Sequence, residues 1–142
     1  AEYLRDHPET NFFHFNVDLA QGPCVIKRLR GCGAGCEYVA ITPEGDIYPC
    51  HQFVGNEDYK LGSLYDGTFD QELSGRFAGL NIYTREECRD CWARFYCSGG
   101  CSASNLLVNG DIKKPHRVGC ELERKRLECA IALRAIAAGM AE

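Results

Sequence analysis

Ten of the 142 residues are cysteines, and four of them fall in the stretch CRDCWARFYCSGGC, whose spacing is C-x2-C-x5-C-x3-C. Thiolates are common ligands of zinc and of iron–sulfur clusters. A C-x2-C pair can place two thiolates at one metal centre from a single tight turn, so we expect Cys88 and Cys91 to share a site. Cys97 can join them after one more turn of chain. The stretch therefore predicts a metal centre.

Two cysteines could provide the fourth ligand of this centre. Cys101 is close in sequence, whereas Cys120 lies at the start of a predicted helix, where the backbone dipole favours a thiolate. Four thiolates satisfy either a zinc ion or a [4Fe–4S] cluster. Zinc ribbons usually carry two C-x2-C pairs, and this chain has only one. The spacing therefore favours an iron–sulfur cluster.

The remaining cysteines could hold a second centre. Cys50 and cysteines from residues 24–36 could combine with Cys101 if the first centre does not need it. Two-cluster ferredoxins offer a precedent, because the last cysteine of a run there binds the other cluster. Two interleaved centres would explain why an irregular chain contains so many cysteines.

Composition narrows the class of protein further. Hydrophobic residues make up 45% and charged residues 25%, as in ordinary globular domains. The formal net charge of −4 argues against a nucleic-acid partner. No apolar run reaches the ~18 residues of a membrane span, and no signal-peptide pattern opens the chain. We therefore expect a cytoplasmic protein without membrane contact, whose cysteines bind metal. The alternative is a secreted domain whose cysteines form disulfides.

Short elements are predicted to position the thiols in the first half of the chain. Apolar side chains alternate over residues 12–20, which predicts a strand. Residues 38–42 and 47–50 predict a β-hairpin whose turn contains Gly45 and whose far end delivers Cys50. The segment KLGSLYDG adds another extended piece and a turn.

Helices are predicted in the second half. Thr68 is the expected cap of a helix over residues 68–80, and a shorter helix is expected over residues 102–110. The clearest helix covers residues 118–142, with a stop at Gly139. Its predicted apolar stripe consists of Val118, Leu122, Cys129, Leu133 and Ile136. The predicted fold class is α+β: a small irregular domain with a β-hairpin and short helices around two iron–sulfur clusters, ending in a C-terminal helix.

An ordered pattern of cysteines and one glycine resembles the SPASM domain. The pattern begins C-x12-G-x4-C at Cys32, Gly45 and Cys50, continues through the dense block and ends at Cys120. SPASM domains are the C-terminal domains of many radical S-adenosylmethionine (SAM) enzymes that modify peptides, and they carry two auxiliary [4Fe–4S] clusters. The resemblance covers residues 24–125.

Two stretches are similar to a narrower group within that family. GCGAGCEYVAITPEGDIYPCHQFVG and CWARFYCSGGCSASN resemble the maturases of six-cysteine (SCIFF) ribosomal peptides. Those enzymes install thioether crosslinks between a cysteine sulfur and a backbone carbon. The resemblance therefore implies a cysteine-rich precursor peptide as a partner.

The resemblance also implies a set of ligands for each cluster. Three ligands of auxiliary cluster I would be Cys32, Cys50 and Cys101. The favoured fourth ligand is Cys36, and Cys24 is its competitor. A third option is an iron left open for a substrate thiol. The ligands of auxiliary cluster II would be Cys88, Cys91, Cys97 and Cys120. Cys129 matches no ligand position and is interpreted as a core cysteine. The aromatic residues Trp92, Phe95 and Tyr96 are either cover for a cluster or plain packing.

The chain lacks the C-x3-C-x2-C motif with which a radical SAM core binds a third [4Fe–4S] cluster and SAM. We therefore expect a SPASM portion without its catalytic half, unable to cleave SAM by itself. Residues 1–23 would be a lead-in from the core domain, which would be a partner. The alternative function is a zinc-binding interaction module without a redox role, in which His51 could be a ligand.

Overall fold

A small antiparallel sheet organises the middle of the chain. In the computed structural model, which describes residues 2–19 and 25–139, four strands lie side by side in chain order. Their bounds are β1 Ala40–Ile41, β2 Asp46–Tyr48, β3 Gly62–Ser63 and β4 Thr68–Phe69. The sheet and the helices around it confirm the α+β class.

The first two strands form the predicted hairpin. The Gly45 N–H donates to the Thr42 carbonyl over 2.9 Å, and Gly45 has φ +81°. This is a tight turn followed by a left-handed glycine, which matches the twist of the flanking strands. Both strands are shorter than predicted, because the chain leaves the sheet at Pro49 and enters a 3-10 turn, His51–Phe53.

Helices account for most of the remaining described chain. Their bounds are α1 Glu2–Asp6, α2 Val25–Arg30, α3 Gln71–Ala78, α4 Arg94–Cys97, α5 Ser102–Asn109 and α6 Arg117–Ala137. Further 3-10 turns are Phe13–Phe15, Glu57–Tyr59 and Glu86–Cys88. Among the helices of the described residues, none is long and apolar enough to span a membrane.

Helix α3 begins later than predicted. Asp70, and not Thr68, caps it: the Asp70 carboxylate accepts a hydrogen bond of 2.8 Å from the Leu73 N–H. Thr68 instead lies in β4, where its hydroxyl accepts from the Ser63 N–H. Leu73 and Phe77 of this helix are buried, whereas Phe69 is exposed in β4.

The strand predicted over residues 12–20 is wrong for the part that the structure describes. A 3-10 turn occupies Phe13–Phe15, and this segment packs against α6. The Phe15 N–H bonds locally to the Phe12 carbonyl, and the two rings meet edge to face with centroids 5.0 Å apart. The alternation arises from aromatic residues that pack on a helix and on one another, so no sheet partner is needed. Ala20 lies outside the described residues.

The last helix forms as predicted, but a different face of it is buried. Val118 and Leu122 are exposed, whereas Leu127 and Ala130 are buried. The inward face of the first turns carries Gly119, Cys120, Glu123 and Arg126, which line a cavity. The predicted stripe is therefore wrong over these turns, because they face a polar site and not an apolar core. Cys129, expected in the core, is only half-buried.

The hydrophobic core lies between the sheet, α3 and α5. The rings of Phe53 and Phe77 pack edge to face at 5.4 Å. The buried members of this core are Ile47, Tyr48, Cys50, Phe53, Leu61, Leu73, Phe77, Leu80, Ala103 and Ile112. Since Cys50 is one of them, the core is continuous with the thiol sites.

Replacement of Gly35 by alanine is expected to destabilise the fold more than replacement of Gly55. Both glycines are left-handed (φ +80° and +84°), but a Cβ on Gly35 would lie 2.8 Å from the buried Phe77 ring and one on Gly55 would touch nothing. We expect both variants to lose about 1–2 kcal/mol from backbone strain, and Gly35→Ala a further ~1–3 kcal/mol from overpacking. Anaerobic urea unfolding measures both, and equal losses would contradict the packing argument.

Candidate metal centres

The loop Cys32–Cys36 is fixed by hydrogen bonds from two neighbouring elements. The Gly35 N–H donates to the carbonyls of Tyr38 (2.9 Å) and Pro49 (3.0 Å). The Ser74 hydroxyl of α3 donates to the Gly35 carbonyl over 2.7 Å. The loop is thus held against the end of β2 and against α3, while the thiols at its two ends are exposed.

Three of the four thiols predicted for cluster I line one cavity. Its volume is about 520 Å³, and Cys32, Cys50 and Cys101 contribute to its wall together with Cys97. Cys36 does not line it: this thiol and Cys32 border a neighbouring cavity of about 20 Å³. Cys24, the competing fourth ligand, lies outside the described residues.

Polar side chains that the sequence analysis did not select approach this set. The Tyr38 hydroxyl donates to the Cys32 sulfur over 3.9 Å, and the Gln52 amide donates to the Cys101 sulfur over 3.7 Å. Gln52 stands two residues beyond Cys50, and that proximity was its only signal in the sequence.

The sulfur atoms of this set differ in how well their anions are stabilised. Burial raises the pKa of Cys101, but hydrogen bonds from Ser104, Ala103 and Gln52 outweigh it, and the net pKa is lowered. Burial and Glu37 raise the pKa of Cys36. Burial, together with the neighbouring thiols, raises the pKa of Tyr38 to about 12, so its hydroxyl keeps its proton and remains a donor.

The four thiols predicted for cluster II lie together, although three of them come from separate elements and Cys91 lies between two of these elements. Cys88 ends a 3-10 turn, Cys97 ends α4, and Cys120 lies in the first turn of α6. The Cys91 N–H donates to the Cys88 carbonyl over 3.2 Å, which closes the predicted tight turn. Cys88 interacts electrostatically with the other three thiols. Cys97 and Cys120 border a cavity of about 380 Å³.

Burial dominates the acidity of this second set. It raises the pKa of Cys88 to about 11, and it also raises the pKa values of Cys97 and Cys120. For Cys120 the direction is opposite to the stabilised thiolate that was expected at the start of α6, and Arg124 acts against the rise in its pKa. Any metal that binds here must displace the protons of these thiols.

A short left-handed turn joins the two sets. Between Cys97 and Cys101, residues Ser98, Gly99 and Gly100 have φ values of +59°, +87° and +73°. Cys97 and Cys101, at the two ends of this turn, line both the 380 Å³ cavity and the 520 Å³ cavity. The N–H groups of Gly99 and Gly100 hydrogen-bond to the Cys97 thiol.

The donor set consists of thiols, which fit iron–sulfur clusters and zinc alike. Within residues 2–19 and 25–139, no three His, Cys, Asp or Glu side chains converge on a site for a single metal ion.

Of the aromatic residues considered as cover, Tyr96 lines the 380 Å³ cavity, whereas Trp92 and Phe95 are exposed. His51 is exposed at the mouth of the 520 Å³ cavity.

A family comparison defines the class of this site. Residues 32–92 match the sequence model of the SPASM family, an iron–sulfur cluster-binding domain. This match bears out the predicted resemblance to the SPASM domain over residues 32–92. The span predicted for the domain, residues 24–125, stays a prediction, as do the assignments of the cysteines to clusters.

Curated relatives add more specific similarities. An uncharacterized protein of Archaeoglobus fulgidus is 31% identical over 101 residues (68% of this chain, 24% of the relative). The mycofactocin maturase MftC of Mycobacterium ulcerans is 32% identical over 111 residues (74% and 29%). The PqqA peptide cyclase of Xanthomonas axonopodis pv. citri is 28% identical over 102 residues (67% and 27%). The matched part of the chain thus spans about a quarter of each relative's length.

In the metal-free protein, we expect iodoacetamide to alkylate Cys101 faster than Cys88 near neutral pH. The lowered pKa of Cys101 gives it the larger thiolate fraction, and the thiolate is the reactive form. Peptide mass spectrometry at timed intervals measures both rates. The Gln52→Ala variant removes one donor and should slow Cys101 selectively. Equal rates at the two thiols would contradict this account of their surroundings.

Proposed function

We propose that this chain is the auxiliary-cluster domain of a radical SAM enzyme that matures a ribosomal peptide. The observation that carries the proposal is that cysteines from distant parts of the chain line two cavities, with Cys97 and Cys101 lining both. The SPASM match to residues 32–92 supports iron–sulfur clusters as the occupants. The names of two relatives, a maturase and a peptide cyclase, support a peptide as the substrate.

The proposed ligands follow the two sets of thiols. Cys32, Cys50 and Cys101 would hold auxiliary cluster I, with Cys36, Cys24 or a substrate thiol as the fourth ligand. The ligands of auxiliary cluster II would be Cys88, Cys91, Cys97 and Cys120. When bound, the [4Fe–4S] clusters supply one-electron transfer and an iron site that a substrate thiolate can occupy.

The chain's own residues give the two sites different roles. Cys32 and Cys101 are exposed beside a large cavity, so a peptide can approach auxiliary cluster I. Tyr38 and Gln52 donate hydrogen bonds to the sulfurs there and would fix their orientation. The buried Cys88 belongs to the more protected site, which suits electron transfer without substrate contact.

The finer proposal is that the substrate is a cysteine-rich peptide and the product contains thioether crosslinks. The stretches that resemble SCIFF maturases support it. The radical SAM core, with its own [4Fe–4S] cluster and bound SAM, would lie in the part of the protein that corresponds to the unmatched part of the relatives' sequences.

We further propose a cytoplasmic location, because free thiols and clusters persist in reducing compartments.

The metal content is the first test of this function. Anaerobic reconstitution of the full-length protein should give a brown sample, since each [4Fe–4S] cubane holds about four irons. Visible spectra with iron and sulfide analysis should count about twelve irons in all, which are about four in the core cluster and about eight auxiliary irons. The Cys50→Ser and Cys91→Ser variants should each lose about half of them, and Cys129→Ser, the matched control, should lose none. A colourless protein with stoichiometric zinc would instead support the interaction module.

The fourth ligand of auxiliary cluster I can be tested with two further variants. Because Cys36 and Cys32 line the same small cavity, we expect Cys36→Ser to change the electron paramagnetic resonance (EPR) spectrum of this cluster more than Cys24→Ser does. The reverse result would assign the position to Cys24, and no change in either variant would favour an open iron.

Mass spectrometry of a cysteine-rich peptide treated with the full-length protein and SAM tests the thioether product. Formation of each crosslink removes one pair of hydrogens from the peptide.

A further inference from the structure

Arg85 is a buried arginine that connects the two sets of thiols. Its side chain is 2% exposed. The guanidinium donates to the Ile112 carbonyl over 2.9 Å and to the Ser102 hydroxyl over 3.0 Å. Its backbone carbonyl accepts a hydrogen bond of 3.0 Å from the Cys88 N–H. Since Ser102 directly follows Cys101, the arginine reaches from one set to the other.

The left-handed turn between the two sets leaves room for this side chain. A Cβ on Gly99 would lie 2.9 Å from the Nε atom of Arg85, closer than side chains normally approach. The absence of a side chain at Gly99 thus lets the guanidinium lie against the Cys97–Cys101 turn. The Nε atom is itself buried and has no hydrogen-bond partner among the described residues.

The positive charge of Arg85 has little carboxylate compensation nearby. Within residues 2–19 and 25–139, none of the ion pairs includes it. Burial lowers its pKa, and the groups that act in the opposite direction are Cys88, Cys97, Asp111 and Cys101. Three of these four are thiols of the two sets. A buried charge without a close partner is costly, so an anion at the thiols would compensate it.

We propose that Arg85 is the shared counter-cation of the two auxiliary clusters, a positioning residue that binds no iron and raises their reduction potentials. The inference rests on the proposed function. A cubane with four cysteinate ligands is an anion, and reduction adds a further negative charge. In a site shielded from water, a fixed cation stabilises the more negative form more strongly. Removal of the charge should therefore make the clusters harder to reduce.

The test is a redox titration of the full-length protein under anaerobic conditions, followed by EPR and visible absorption. Arg85→Gln removes the charge and keeps an amide donor. Arg89→Gln is the matched control, because Arg89 is exposed and donates to the Tyr83 carbonyl. We expect Arg85→Gln to lower the ratio of reduced to oxidised auxiliary cluster at a fixed potential by at least tenfold, which is about 59 mV for a one-electron couple. Arg89→Gln and Arg85→Lys should stay within threefold of the wild type.

Iron analysis separates the possible failures. A wild-type protein that binds no iron would overturn the proposed function and this inference with it. If two auxiliary clusters are present and Arg85→Gln titrates like Arg89→Gln, the inference is wrong and the proposed function stands. If Arg85→Gln loses its iron, Arg85→Lys decides: retained clusters with wild-type potentials support a role of the charge, and any other result assigns Arg85 a purely structural role.

Discussion

The turn between Cys97 and Cys101 is the constraint on which the rest of the site depends. Three consecutive left-handed residues reverse the chain between α4 and α5 within five residues. An ordinary side chain is strained in this conformation, which explains the two glycines but leaves Ser98 as a buried exception. As a result, thiols at the end of one helix and the start of the next reach the same two cavities.

The hydrophobic core and the thiol sites stabilise one another. Cys50 and Ala103 belong to the buried core, and both also line the 520 Å³ cavity. Gly35 lies against the Phe77 ring, so the loop that carries Cys32 is positioned by the packing of α3. The geometry of the candidate clusters is therefore coupled to ordinary apolar packing. A substitution at Phe77, which is not a ligand, would displace a ligand loop as well as open a cavity.

Some local signals in the sequence predicted the local structures correctly, although the cap of α3 is Asp70 and not Thr68. The hairpin at Gly45 and the helix that ends before Gly110 depend on glycines with positive φ, which the sequence displays directly. The N-terminal strand and the face of α6 were mispredicted because tertiary partners decide them. The candidate ligands were recognisable by their spacing and their resemblance to a family. Gln52 could not be linked to Cys101, 49 residues away, because only the fold brings the two together.

The two sets of thiols differ in the way in which negative charge is stabilised at their sulfurs. Cys101 is exposed and receives hydrogen bonds at the start of α5, which lower its pKa. Cys88 is buried, its pKa is raised, and Arg85 is the group that acts most strongly against that rise. Hydrogen bonds and solvent exposure both raise the reduction potential of a cluster. On the proposed assignment, auxiliary cluster I has such contacts at Cys32 and Cys101, whereas auxiliary cluster II has the buried guanidinium and the hydrogen bonds from Gly99 and Gly100 to Cys97. Arg85 would then influence the buried site more than the exposed one, and the difference between the two potentials would depend on Arg85 together with the hydrogen bonds at each set of sulfurs.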